Sequence, residues 1–385
     1  MYVARLALTD FRNYDSADLA LVAGPTVFVG PNGQGKTNLV EAMGYAASLR
    51  SHRVASDAPL VRRGASEAFI HLDVVRGERR ARLDMQIRSP GANVVRLNGN
   101  PLTRARDSFG LLRLVMFAPE DLSLVKGDPA GRRRFLDDLL AQRLPRFGGV
   151  RAEYERALKQ RNALLKAIAR QRRALDETDR HTLHVWDEAL ARHGGQLLAG
   201  RVALLDQLAG PVARAYGTLS GSRDEASLNY RSDAAPEWLQ SGDHSAAGAE
   251  VELGESLRRR HEEELRRGVS LVGPHLDDLD LLLESAPARG YASHGESWSF
   301  ALALRLGSYA LLSSESVDSG EPVLVLDDVF AELDAQRRAR LAEEVSSAEQ
   351  VLITAAVAED VPAHLRGRHI SIEAGRIAAL GDTDE

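Results

Sequence analysis

No stretch restricts the fold of this chain more than Gly30-Pro31-Asn32-Gly33-Gln34-Gly35-Lys36-Thr37. It fits the pattern G-x-x-x-x-G-K-[ST] at every fixed position. Thr26-Val27-Phe28-Val29 before it reads as a buried strand, and Asn38-Leu39-Val40-Glu41-Ala42-Met43 after it reads as a helix. A glycine-rich turn between strand and helix aims backbone N–H groups and the helix dipole at anionic oxygen. On this reading Lys36 reaches the β- and γ-phosphates and the Thr37 hydroxyl ligates Mg²⁺. The loop implies a nucleoside triphosphate. It does not say what the nucleotide drives.

The chain has 385 residues, enough for two or more domains. It contains no cysteine, which excludes disulfides, thiol nucleophiles and thiolate metal sites. Arg5, Asp10 and Arg12 leave no apolar core for a signal peptide, and no uncharged apolar run approaches the ~20 residues of a membrane span. A cytoplasmic location is the expectation, without a membrane partner. The net charge of −6 hides a sign asymmetry. Residues 50–106 hold 12 Arg against 5 acidic residues, and 130–175 hold 13 Arg and Lys against 4. Residues 321–385 hold 6 basic against 14 acidic residues. The basic segments read either as the footprint of a polyanion or as solvated helix faces.

Periodicity places strands at 2–8 and 15–22, joined through Asp10–Tyr14, and alternating strands at 69–75, 80–87 and 94–97. From about Leu122 the pattern turns helical. Residues 150–175 and 181–208 predict an antiparallel hairpin with arms of roughly 25 residues, ~38 Å each. The Ser-, Gly-, Ala- and Asp-rich stretch 232–254 predicts a flexible loop, with helix resuming around 255–267. A helix at 297–312, a buried strand at 323–326, a helix near 335–347, a strand at 350–354 and a hairpin from His369 to Ala379 complete the pattern. Strands alternating with helices argue for α/β with a partly parallel sheet.

Val323-Leu324-Val325-Leu326 ends in Asp327-Asp328 at a strand's carboxyl end, where open α/β sheets bind ligands. Asp327 would hold Mg²⁺ and Asp328 would polarise the attacking water as general base. About 290 residues separate these carboxylates from the loop, a spacing that points to the ABC and SMC type of ATPase, with a helical lobe inserted between. Ser293-His294-Gly295-Glu296 opens the 297–312 helix where such ATPases carry the signature that contacts a partner subunit's γ-phosphate. It also reads as an ordinary N-capped helix. Ala331-Glu332-Leu333-Asp334 stands where a dimer-contacting loop is expected.

Nearly end to end, the chain resembles the bacterial RecF family of SMC-like ABC ATPases. The resemblance rests on Leu6–Tyr14, the phosphate loop with Asn38-Leu39-Val40-Glu41-Ala42, and Ser51-His52-Arg53. It rests also on Phe117–Leu122, Arg132–Asp137, Gly273-Pro274-His275 with Asp277-Asp278, and Leu326–Asp328 with Glu332-Leu333-Asp334. It implies an α/β ABC/SMC-type head, a mixed sheet with helices plus an antiparallel β-subdomain, with an inserted helical lobe carrying a short hairpin. It places an ATP-binding domain at 1–128 and 268–385 and the lobe at 129–267. It implies ATP and Mg²⁺ as cofactors, weak DNA-stimulated ATPase activity and an ATP-dependent homodimer. The implied partners are duplex DNA, single-strand/duplex junctions, RecR and RecO, with RecA loading as the outcome in DNA repair and replication. Arg12, Asn13, Asn38 and Glu120 join Gly30–Thr37 among the implied cofactor contacts, with Ser293 and Gly295 acting on the partner's ATP.

Two residues depart from the family pattern: Glu296 puts a carboxylate near a usual amide, and Leu276 replaces a usual Arg. Glu120 and Thr354 stand where ABC ATPases usually have a Gln and a His, as habits of the family itself. His275, Asp277, Asp278 and Asp280 read as a capped tight turn or a metal cluster, and Arg132–Arg134 as a phosphate clamp or a solvated helix start. A nucleotide-gated scaffold without turnover and an ABC-type nuclease or SMC-like tether are the competing functions. The short hairpin argues against the tether, and the absence of a further acidic metal cluster against the nuclease.

Overall fold

The computed structural model describes residues 1–171, 175–222, 224–315 and 320–377. Its contacts divide the chain into two compact units. The first comprises Met1–Val125, Pro211–Glu225 and residues from Ala292 on; the second comprises Lys126–Gly210 and Ala226–Tyr291. Residues 268–291 thus pack within the second unit and 211–225 within the first.

The first unit holds two six-stranded sheets. One is antiparallel, in the order β2-β1-β4-β5-β6-β7, from β1 (Tyr2–Phe11), β2 (Tyr14–Ala20), β4 (Glu67–Arg76), β5 (Arg79–Arg88), β6 (Val94–Leu97) and β7 (Asn100–Pro101). The other runs β15-β14-β3-β13-β12-β8, from β3 (Gly24–Val29), β8 (Leu114–Phe117), β12 (Val323–Asp327), β13 (Gln350–Ala355), β14 (Arg368–Glu373) and β15 (Arg376–Ile377). Five of these strands are mutually parallel, and β15 is the antiparallel edge. The turn Gly77-Glu78 joins β4 to β5. The terminal hairpin turns at Ala374-Gly375; Ala378 and Ala379 lie outside the described residues.

Helix α1 (Lys36–Ser48) shares one core with both sheets. Leu39, Val40 and Met43 cluster with Leu6, Ile70 and Leu83 of the antiparallel sheet and with Phe28, Val325 and Leu352 of the parallel one. A helix covered on both sides needs apolar residues around its circumference, which is why α1 is only weakly amphipathic. The short α2 (Leu122–Lys126) follows β8. Helices α9 (His294–Ser314) and α10 (Ala335–Val345) flank β12 in sequence.

The second unit contains α3 (Pro129–Arg143), α4 (Arg146–Gln171), the larger part of α5 (Glu177–Ser220), β9 (Ala226–Arg231), α6 (Pro236–Ser241), α7 (Ala246–Arg267), β10 (Asp278–Leu283), β11 (Ala286–Pro287) and α8 (Ala288–Tyr291). Two expectations are corrected. The second hairpin arm has 44 residues, about 66 Å, because α5 continues through Pro211. Val212, Tyr216 and Leu219 beyond the proline are buried, and this packing outweighs the lost N–H. The stretch 232–254 is not a loop: it carries α6 and the start of α7, capped by the Ser245 hydroxyl accepting from the Gly248 N–H at 3.1 Å. Gly195 of α5 allows close packing against α7. A Cβ on Gly195 of α5 would lie 2.7 Å from the Glu250 nitrogen and 2.8 Å from the Ala246 oxygen of α7.

Candidate nucleotide site

The phosphate loop follows β3 at the carboxyl end of the parallel sheet. Its neighbour β13 pairs Thr354 with Phe28 on one side and with Asp327 of β12 on the other. This register brings together groups 290 residues apart: the Thr37 hydroxyl donates to Asp327 Oδ1 at 3.0 Å. The Thr354 hydroxyl donates to the same oxygen at 2.6 Å and accepts from the Asp328 N–H at 2.9 Å. Thr354 thus braces both carboxylate residues.

Asp327 is 2% exposed, and its pKa is pushed up to about 6. Burial is the main cause; the charges of Asp328 and Glu120 add to it, and the hydroxyls of Thr354 and Thr37 oppose it. A buried carboxylate near two more acids is the donor chemistry a divalent cation satisfies. Among the described residues no three His, Cys, Asp or Glu side chains form a metal cage. Thr37 with Asp327 suits Mg²⁺, which keeps several ligands as water and phosphate oxygens.

The loop is held from several sides. Lys36, 3% exposed, donates through Nζ to the carbonyls of Gly30 at 2.7 Å and Pro31 at 3.3 Å, and to Asn32 Oδ1 at 3.5 Å. The Gln34 carbonyl accepts from Asn13 Nδ2 at 3.1 Å and from the Gly375 N–H at 2.9 Å. The Gln34 side chain accepts from the Ala374 N–H at 2.6 Å, and the Tyr14 hydroxyl donates to the Gly35 carbonyl at 3.1 Å. Gly35, at φ 118°, has no room for a Cβ, which would sit 2.8 Å from the Asn13 and Tyr14 side chains.

Arg12 and Asn13 lie beside the loop, as expected, but Arg12 is bound to a residue that sequence reasoning gave no role. Its guanidinium forms a bidentate pair with Glu41, with Nε donating at 2.8 Å. Asn38 Nδ2 donates to Asn13 Oδ1 at 2.8 Å. Glu120 is exposed, at the short turn Pro119–Asp121. Pro31, Asn32 and Gly33 form the loop's outer arc.

Ser293 and Gly295 are engaged at the start of α9. The Ser293 hydroxyl accepts from the Glu296 N–H at 3.3 Å, and the Glu296 carboxylate accepts from the Ser293 N–H at 2.7 Å, closing a capping box. The N-cap expected from sequence is therefore present. Gly295 lies against Arg337 of α10, whose Nε donates to the Ser299 hydroxyl at 2.9 Å.

The other candidate clusters belong to the second unit's interior. Asp278 forms a bidentate pair with Arg132 at 2.7 and 2.9 Å, and Arg133 donates to the Asp277 carbonyl at 2.7 Å. Arg132 is therefore neither a solvated residue nor an open phosphate clamp. The Tyr230 hydroxyl donates to Asp277 at 2.8 Å; burial raises the Asp277 pKa to about 6. His275 Nδ1 pairs with the Tyr154 hydroxyl at 2.6 Å, and burial lowers its pKa to about 4. These groups hold one another, consistent with the capped-turn reading.

A family model described as RecF/RecN/SMC N terminal domain matches residues 2–366. A Kineococcus radiotolerans protein named DNA replication and repair protein RecF is 55% identical over 379 residues, covering 96% of each chain. The solved structure of the recombination mediator protein RecF-ATP in the RecFOR pathway superimposes with a TM-score of 0.88 at 26% identity, covering 99% of this chain and 98% of that one. An SMC head bound to the C-winged helix domain of ScpA is similar in fold alone, with a TM-score of 0.53 at 15% identity over 98% of each chain.

Proposed function

The chain belongs to the RecF family within the RecF/RecN/SMC group, and from that premise we propose that it is an ATP-dependent DNA-binding mediator of repair that pairs with a second copy of itself when ATP is bound. The observation that carries this reading is the Thr37–Asp327 contact at 3.0 Å, which joins the phosphate loop to the carboxylate at the end of β12. The relative solved with ATP, similar over nearly the whole chain, supports the same ligand.

In this mechanism the loop's N–H groups and Lys36 bind the β- and γ-phosphates, which requires Lys36 to leave the carbonyls of Gly30 and Pro31. Thr37 and Asp327 would hold Mg²⁺, which neutralises phosphate charge when bound. Asp328 orients and deprotonates the attacking water, and Glu120 lies near enough in charge to influence Asp327. Ser293 and Gly295 would meet the second copy's nucleotide. That contact requires the capping box with Glu296 to give way or to share its N–H groups. Turnover in this scheme is slow and serves to end DNA binding. DNA is bound through its phosphates by exposed basic side chains in each unit, and RecO and RecR are the partners on the way to RecA loading.

The test is the mass of the protein in solution with ATP, with ADP and without nucleotide, wild type beside Lys36→Met. Wild type is expected to double its mass in ATP only, and Lys36→Met to remain a monomer throughout. A wild-type monomer in saturating ATP would overturn the dimer mechanism.

A further inference from the structure

Glu41 sits in the second turn of α1, just past the phosphate loop, and its side chain is fully buried. Its carboxylate accepts from Arg12, from the Ser51 hydroxyl at 2.5 Å and from Arg53 Nη1 at 3.4 Å. Burial works against its ionisation, but the hydrogen bonds from Arg12 and Ser51 prevail and hold its pKa below the ordinary carboxylate value. Two guanidinium groups therefore share one carboxylate, and a single positive charge is left over.

This excess charge is wired to the loop. Arg53 Nη1 donates to Asn38 Oδ1 at 2.9 Å, Asn38 donates to Asn13, and Asn13 donates to the Gln34 carbonyl. The three arms come from separate parts of the chain: the turn between β1 and β2, α1, and the segment after α1. Arg53 remains 36% exposed while Glu41 is fully covered.

We infer that Glu41 is a positioning residue of the nucleotide site, a buried counter-ion that fixes Arg12 and Arg53 beside the phosphate loop and sets the net charge the phosphates meet. The inference rests on the ATP-binding reading above. It goes further in assigning that site's electrostatic balance to a residue that touches no ligand. Removing the carboxylate leaves two uncompensated cations, and removing Arg53 leaves an exact pair. The two changes must therefore shift phosphate affinity in opposite directions.

The experiment titrates a fluorescent ATP analogue into the full-length protein at several salt concentrations, for wild type, Glu41→Gln, Arg53→Gln and Lys36→Met. Glu41→Gln is expected to bind about threefold more tightly at low salt, with a steeper salt dependence; Arg53→Gln is expected to bind about threefold more weakly, with a flatter one. A structural role alone would lower thermal stability without moving the salt slope. Shifts of the same sign in both variants, or no shift in either, overturn the inference. If Glu41→Gln does not fold, Arg53→Gln decides alone, and an unchanged affinity and slope overturn it. Failure of the ATP reading has a separate signature, wild type binding no better than Lys36→Met, and the inference then falls with it.

Discussion

At Asp327 two hydroxyls, from Thr37 and Thr354, converge on one carboxylate oxygen, while Asp328 beside it adopts a left-handed backbone with φ 51°. The turn parts the two acids: Asp327 stays in the buried register of β12, and Asp328 leaves it at the strand's end. Asp328→Asn is expected to cut ATP turnover by about 10²–10⁴-fold while the ATP-dependent dimer persists. Turnover near the wild-type rate, measured by phosphate release, would place the general base elsewhere, and no turnover above background in the wild type would favour a nucleotide-gated scaffold. Lys36, Thr37 and Asp327 were legible in sequence because loop and strand patterns each carry their own chemistry. Glu41 was not. It lies in an apolar helix, and its partners Arg12, Ser51 and Arg53 reach it only through the tertiary fold.

Among the elements, those with a clear period were legible and those built from small residues were not. The alternation of Leu83, Met85 and Ile87 marks the inner face of β5, where all three are buried. The Gly- and Ala-rich start of α7 resembles a linker by composition, yet it is helical and its backbone packs against α5 at Gly195. Gly195→Leu is therefore expected to destabilise the second unit by about 1–3 kcal/mol, read from chemical denaturation. A cost near zero would mean that the two helices do not meet there. The arm expected over 181–208 runs further: α5 continues through Pro211 because the residues beyond it are buried in the first unit.

For the whole molecule, part of the charge summed along the sequence is matched locally by carboxylates. In residues 50–106, Arg53, Arg62, Arg82 and Arg88 pair with carboxylates; in 130–175, Arg132, Arg151 and Arg161 do the same. Arg63, Arg79 and Arg80 of the first unit and Arg134, Lys159, Lys166 and Arg170 of the second remain exposed. Each is a candidate DNA-phosphate contact. Replacing one that contacts DNA should weaken binding equally across sequences and reduce the slope of log affinity against log salt by about 1. Binding that ignores salt would exclude this mode. The junction of Thr37 with Asp327 also has a consequence in time. A ribosome making about 5–20 residues per second needs roughly 15–60 s to travel from one to the other. Throughout that interval the emerging chain displays a phosphate loop with no carboxylate strand beside it. Competence for nucleotide therefore arrives late in synthesis, and an interrupted chain never acquires it.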